Sequence, residues 1–311
     1  LRAEGSAAYA YQGGEPTLRG LDFFRKAMEY QKQYNKNHVA VSNALQTNGY
    51  ALNEEWCQFL KENHFLVGLS LDGTEEIHNA HRHDKAGNGT YARIKHAADL
   101  MDQYQVDYNI LTVVTADIAE RIEEIYAEYR KNGWHYQQYI PCLDPMEEGH
   151  GKTSYALNPE QYGSFLIRLF RLWYKDLRKG RQPFIRTFEN YVALAAGYQA
   201  EACEQRGICG IQYVVEADGS VYPCDFYVLD NWKLGNLRDD SFEKLREGAC
   251  LQRFLQDSGN RPAECKECTW KTLCSGGCKR DWTWMEGQPH NYYCASFQKL
   301  FAHAMPRIQE I

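Results

Sequence analysis

The sequence predicts an α/β fold in which a parallel α/β barrel with outer helices is followed, from about residue 183, by a cysteine-rich region of short strands and turns. Three observations predict it. Apolar runs of strand length alternate five times with segments of helical spacing through the first half. Such βα repetition builds a parallel sheet, because each helix carries the chain back to the end where the next strand must start. Polar and glycine clusters follow the strands, where barrel enzymes keep their chemistry. Eight of the nine cysteines beyond residue 200 then fall in a tight pattern.

The opening Leu1-Arg-Ala-Glu-Gly5-Ser6 lacks an initiator methionine and reads as the end of an amphipathic helix stopped at Gly5. The chain is therefore expected to be a fragment missing its true N-terminus. Residues 7–11 read as a strand before a Gly13-Gly14 turn, and 21–34 as a helix. Residues 39–45 read as strand, 53–63 as a helix capped by Asn53, and 65–71 as strand. Then 91–104 is helical, 107–115 extended, 118–132 helical with Gly133 closing it, and 136–142 extended. The passage 159–179 is helical, and its Phe165, Leu166, Leu169, Phe170, Leu172 and Trp173 make a core stripe. Beyond Pro183, residues 211–215, an Ala217-Asp-Gly-Ser220 turn and Val221-Tyr222 form a hairpin that delivers Cys224.

Four strand ends carry polar residues: Gln12-Gly-Gly-Glu-Pro16, Gln46-Thr-Asn-Gly49, Ser70-Leu-Asp-Gly73 and Pro141-Cys-Leu143. In a parallel barrel they converge on one mouth. Taken singly, Asn48-Gly49 and Asp72-Gly73 are ordinary turn dipeptides.

The cysteine pattern is more specific. Cys265, Cys268, Cys274 and Cys278 are spaced C-x2-C-x5-C-x3-C, and Cys294 follows. Upstream stand Cys203, Cys209 and Cys224, the last two spaced C-x9-G-x4-C around Gly219. Eight thiolates match two four-cysteine sites. A disulfide framework belongs mostly to small secreted domains, and no apolar signal segment is visible here. Structural zinc suits a C-x2-C pair at least as well as iron does. The crowded run, the small residues Ser275, Gly276 and Gly277 that let backbone approach a bulky centre, and the lack of histidine in the set favour iron–sulfur clusters.

Composition bounds the rest. At 311 residues, 44% hydrophobic and 24% charged, the chain has material for one large domain and a smaller one. A net charge of −6 argues against nucleic-acid binding, and no apolar run approaches the ~18 residues of a membrane span. Eleven cysteines without a secretion signal point to a reducing cytosol, so a cytoplasmic location is expected. The 22 tyrosines suit a cavity for a polar substrate.

Gln12-Gly-Gly-Glu-Pro16 after an early strand, joined to the two cysteine motifs, resembles the radical S-adenosylmethionine (SAM) enzymes that carry a SPASM domain. Within them the chain is most similar to the anaerobic sulfatase-maturating enzymes, on Ala10–Leu18, Ser70–His78 and Tyr222-Pro-Cys-Asp-Phe-Tyr227. The resemblance covers the whole chain. It implies a partial (β/α)6 radical SAM barrel over residues 1–182 and a SPASM domain with a β-hairpin and helices over 183–311. It further implies oxidation of a cysteine or serine of a sulfatase to Cα-formylglycine. The substrate would be an unfolded or nascent sulfatase segment, and the reductant a flavodoxin or ferredoxin.

Its site residues carry over position by position. Gln12, Gly13, Gly14 and Glu15 would hold the adenosylmethionine ammonium and Ser70 the ribose. Cys203, Cys209, Cys224 and Cys278 would hold a first auxiliary [4Fe–4S] cluster, and Cys265, Cys268, Cys274 and Cys294 a second. Full cysteine ligation makes electron transfer the role of both. A 5′-deoxyadenosyl radical would take a Cβ hydrogen of the substrate, Asp225 would take the heteroatom proton, and a cluster the electron. The family's C-x3-C-x2-C for a third, radical-generating [4Fe–4S] cluster is absent, since the first cysteine is Cys57. Those ligands are expected in the missing segment, and the fragment alone is expected to be inactive. Cys57, Cys142 and Cys250 match no cluster position. Two readings compete: a SPASM enzyme forming thioether or carbon–carbon crosslinks, and a non-catalytic cluster- or zinc-binding module.

Overall fold

The computed structural model describes residues 5–146 and 148–311. The helix end expected at residues 1–4 lies outside the described residues. The chain divides into two compact units, Leu1–Cys142 with Arg168–Thr187, and Leu143–Ile167 with Phe188–Ile311.

In the first unit six strands form one parallel sheet in sequence order: β1 (Ser6–Tyr11), β2 (Ala40–Thr47), β3 (Phe65–Ser70), β4 (Asp107–Val114), β5 (Tyr136–Pro141) and β6 (Phe184–Ile185). The intervening helices are α1 (Leu21–Tyr34), α2 (Glu54–Glu62), α3 (Glu75–His81), α4 (Tyr91–Gln103), α5 (Ala116–Glu120) and α6 (Ile122–Lys131). The first five strands and the capped helix after Asn53 stand where apolar spacing puts them, with the Asn53 side chain accepting from Trp56 N. Because the strands are parallel, their C-terminal ends share one edge. The core between sheet and helices holds Phe24, Leu45, Leu60, Phe65, Val67 and Val114, each at most 1% exposed. Each such side chain contributes on the order of 1.5–3 kcal/mol by leaving water.

Two expectations are corrected here. The single helix over 118–132 is two, broken at Arg121, whose φ of −108° and ψ of 22° interrupt the ladder. No glycine or proline marks the break; the Arg121 guanidinium instead reaches Glu124 at 3.0 Å and Glu76 at 2.9 Å. Helix α3 is additional to the sequence reading. It follows Gly73 too closely for a periodic signal to develop.

Helix α7 (Pro159–Leu177) runs through the division between the units. Phe165, Leu166, Leu169, Phe170 and Trp173 are buried as expected, whereas Leu172 is only half-buried. In the second unit, β7 (Val214–Val215), β8 (Ser220–Tyr222) and β9 (Gly235–Asn236) make an antiparallel sheet around the expected hairpin. The helices that the resemblance implies beyond residue 183 accompany the short strands and turns. Helices α8 (Arg186–Ala195), α9 (Phe242–Glu247), α10 (Ala249–Gly259), α11 (Lys271–Cys274) and α12 (Cys294–Ile308) alternate with the hairpin β10 (Trp282–Met285) and β11 (Gln288–Asn291). Cysteines and polar loop residues between them dilute the helical periodicity. Among the described residues, no helix is long and apolar enough to cross a membrane.

Candidate functional site

At the C-terminal edge of the sheet, the loop after β1 is shaped by glycine. Gly13 and Gly14 take φ of +83° and +41°, which side chains rarely adopt, and a Cβ on either would meet nothing within 4 Å. Their backbone faces open space. Glu15 caps the short turn Pro16–Arg19 and ties it to the end of β2. Its Oε1 accepts from Thr17 N at 3.0 Å, the Thr17 hydroxyl at 2.6 Å and the Thr47 hydroxyl at 2.8 Å. Its Oε2 accepts from Asn48 N at 2.7 Å. A carboxylate has about four lone-pair sites over two oxygens, so Oε2 keeps capacity for an ammonium. Gln12 is half-buried just past β1, and half-buried Ser70 ends β3 opposite Leu111.

Beside Ser70 lies a network that sequence reading reduced to a turn. Asp72, 4% exposed, accepts from Arg82 Nε at 2.6 Å and Val113 N at 2.9 Å. Its own amide donates to His78 Nδ1 at 3.2 Å, and His78 Nε2 meets the Thr90 hydroxyl at 3.0 Å. That hydroxyl donates to Arg82 O, which leaves His78 Nε2 as donor and fixes a neutral imidazole. Burial pushes the His78 pKa down to about 4. Behind it the Tyr129 hydroxyl donates to Leu71 O at 2.9 Å and accepts from Gly73 N at 2.8 Å. The rim that carries Ser70 is thus held rigidly.

In the second unit the eight thiols sort into two neighbourhoods. Cys203, Cys209 and Cys278 line one small cavity with Lys279, Ser258 and Gly277. Burial raises the Cys203, Cys209 and Cys278 pKa values and pushes Cys224 up to about 12. Secondary contributions come from within the set: Cys209 acts on Cys203 and Cys224, and Cys203 on Cys278. Cys265 and Cys274 are pushed by burial to about 11 and about 12, then by Cys294 and Cys268 and, for Cys274, Cys265. Amides donate to two of the sulfurs, Trp270 N to Cys268 and Arg280 N to Cys278, each at 3.4 Å. The bond to Cys278 favours thiolate there, against the burial that raises its pKa.

The backbone between the sets makes room for a bulky centre. Ser275, Gly276 and Gly277 take φ of +52°, +87° and +70° in succession. A Cβ on Gly276 would come 3.7 Å from Cys265 Sγ, and one on Gly277 would strike Asn291 Nδ2 at 2.4 Å. Asn291 and Trp282 both donate to Gly276 O, at 3.0 and 3.1 Å. Among the described residues, no three His, Cys, Asp or Glu side chains close on one point as ligands of a single ion would. A cubane asks instead that each thiolate meet its own iron. The all-sulfur donor sets and glycine cradle fit [4Fe–4S] clusters.

Asp225 opens the turn Asp225–Tyr227 directly after Cys224 and is exposed. Its Oδ1 accepts from Phe226 N at 3.1 Å and from the Cys224 thiol at 3.3 Å. Of the unassigned cysteines, Cys57 is fully buried and its thiol pushed up to about 11 by burial, while Cys142 and Cys250 are half-buried.

The radical SAM superfamily matches residues 2–129, and an iron–sulfur cluster-binding domain, SPASM, matches residues 208–269. A cysteine-type anaerobic sulfatase-maturating enzyme of Clostridium perfringens is 44% identical over 308 residues, 98% of this chain and 83% of that protein. A serine-type enzyme of Klebsiella pneumoniae is 32% identical over 295 residues, 94% of this chain and 73% of that protein. The solved structure of native anSMEcpe with bound AdoMet and Kp18Cys peptide superposes with a TM-score of 0.96 at 43% identity, covering 99% of this chain and 86% of that one.

Proposed function

Given that this chain belongs to the anaerobic sulfatase-maturating enzymes, radical SAM proteins with a SPASM domain, we propose which of its residues perform the reaction and that cysteine is the residue it converts. The chain is an oxidoreductase that oxidises a side chain of a sulfatase peptide to Cα-formylglycine, using S-adenosylmethionine and [4Fe–4S] clusters. The observation that carries the assignment of residues is the sorting of eight thiols into two sets of four, with Asp225 beside a member of the first. The preference for cysteine is supported by 44% identity to a cysteine-type relative against 32% to a serine-type one.

The substrate side chain must lose one Cβ hydrogen atom, one heteroatom proton and one electron. When bound, adenosylmethionine supplies the hydrogen acceptor and the clusters the electron sink. The open backbone of Gly13 and Gly14, with Gln12 and Glu15 Oε2, binds the ammonium of the cofactor, and Ser70 the ribose. Cys203, Cys209, Cys224 and Cys278 hold one cluster, and Cys265, Cys268, Cys274 and Cys294 the other. Asp225 takes the heteroatom proton as general base. The resulting carbon–sulfur double bond is then hydrolysed to the aldehyde with release of sulfide. A flavodoxin- or ferredoxin-type reductant supplies the electron that starts the reaction. Eleven cysteines, none of them in a disulfide, suit a reducing cytoplasm.

The test is anaerobic incubation of the catalytically complete, cluster-loaded enzyme with two peptides that differ only in Cys or Ser at the target position, read by mass. Faster aldehyde formation from the cysteine peptide is expected. Equal rates would refute the preference, and no aldehyde from either would refute the assignment.

A further inference from the structure

A buried ammonium with no hydrogen bond stands beside the first thiol set. Lys279 follows Cys278 directly, its side chain is 12% exposed, and its Nζ has no hydrogen-bond partner among the described residues. Three rings box it in, with centroids at 4.7 Å for Trp232, 4.9 Å for Phe254 and 5.4 Å for Tyr227. The nearest carboxylate oxygen, Asp257 Oδ2, is 3.7 Å away on a half-exposed side chain, too far to accept a hydrogen bond. Ring faces and a carboxylate beyond hydrogen-bond reach replace only part of the hydration that an ammonium gives up on burial, so the arrangement has room for a further partner. The cavity supplies one. Lys279 lines it together with Cys203, Cys209 and Cys278.

A [4Fe–4S] centre on four thiolates is a net anion, more so when reduced, and nearby charge is one of the levers on its potential. We propose that Lys279 is the buried counter-charge of the cluster held by Cys203, Cys209, Cys224 and Cys278, raising its reduction potential so that it accepts the electron leaving the substrate. The proposal rests on the cluster reading of that cysteine set. Lys279 is a positioning residue: it touches no substrate and acts through the field it fixes. The rings hold the ammonium in place, and half-exposed Asp257 at 3.7 Å offsets its field less than a hydrogen-bonded carboxylate would.

The experiment compares the full chain with its Lys279→Met, Lys279→Gln and Lys279→Arg variants, all in a Cys268→Ala background chosen to leave the first cluster alone. Each is reconstituted anaerobically, its iron and sulfide are counted, and its midpoint potential is taken by redox titration followed by electron paramagnetic resonance. The neutral variants should show a more negative midpoint, and arginine should restore it toward that of the parent. Loss of the cluster's irons in both neutral variants, with retention in arginine, would equally support a required counter-charge. A neutral variant with full iron content and an unmoved midpoint would overturn the proposal. So would an arginine variant as impaired as the neutral ones, since shape rather than charge would then matter. Absence of iron from the Cys203 set in the chain with all its cysteines would refute the cluster reading itself, a result visible before any Lys279 variant is made.

Discussion

The Thr47 hydroxyl donates to Glu15 Oε1 at 2.8 Å across 32 residues of sequence, pinning the glycine loop after β1 to the end of β2. With Thr17 and Asn48 N on the same carboxylate, all four contacts of Glu15 are donors facing an acceptor. Glu15→Gln puts an amide N–H against at least one of them. We expect it to cost about 1 kcal/mol in stability, the low end of the range for an unmatched polar group, because Glu15 is only half-buried. Adenosylmethionine affinity should fall with it. Thermal unfolding and calorimetric titration of the cofactor check both; unchanged binding would show that Glu15 serves the loop alone.

The His78 imidazole makes the first unit acid-sensitive. Folded His78 titrates near 4, below the ordinary value of about 6.5, so between those values only the unfolded chain takes up the proton. Its contribution is therefore whole above about pH 6.5 and shrinks by up to ~3 kcal/mol as pH falls toward 4. His78→Gln, which can still accept from Asp72 N and donate to Thr90, should flatten that slope. The check is melting temperature against pH for both proteins without clusters; identical slopes would place the acid sensitivity elsewhere.

Gly277 tests the cradle. An alanine there must hold φ near +70° and bring its Cβ to 2.4 Å from Asn291 Nδ2. Strain of this kind costs roughly 1–3 kcal/mol. Gly277→Ala is expected to retain the first unit's fold while binding fewer irons than the parent. Full iron content would show that the turn can shift without disturbing the thiols.

Cys268→Ala separates the two sets. Its sulfur acts on Cys265, Cys274 and Cys294. About four of roughly eight irons per chain should remain, following the rule of four thiolates for each cubane. Loss of all iron would mean that the sets assemble as one.

Cysteine spacing was legible because ligands to one centre come in short runs, and the first five strands because each carries its own apolar period. Legibility ended where the fold brings distant residues together. Asp72-Gly73 reads as a turn, and only the structure joins it to His78, Arg82 and Val113. Lys279 carries no motif of its own; its box comes from Tyr227, Trp232 and Phe254, which no local pattern connects. Helix α3 and the break at Arg121 were missed because seven residues are too few for periodicity and the break carries no glycine or proline.

Asp225 carries the claim that proton removal and electron loss follow hydrogen abstraction as a separate step. Its neutral isostere keeps the shape of a turn whose carboxylate accepts from Phe226 N at 3.1 Å, but it does not take up a proton. The decisive measurement is 5′-deoxyadenosine and aldehyde counted in the same anaerobic reaction of the catalytically complete, cluster-loaded enzyme, parent against Asp225→Asn. Deoxyadenosine should persist while aldehyde falls by about 10²–10⁴-fold, the usual effect of removing a positioned base. Aldehyde formed at the parent's ratio to deoxyadenosine would show Asp225 to be no more than a loop carboxylate.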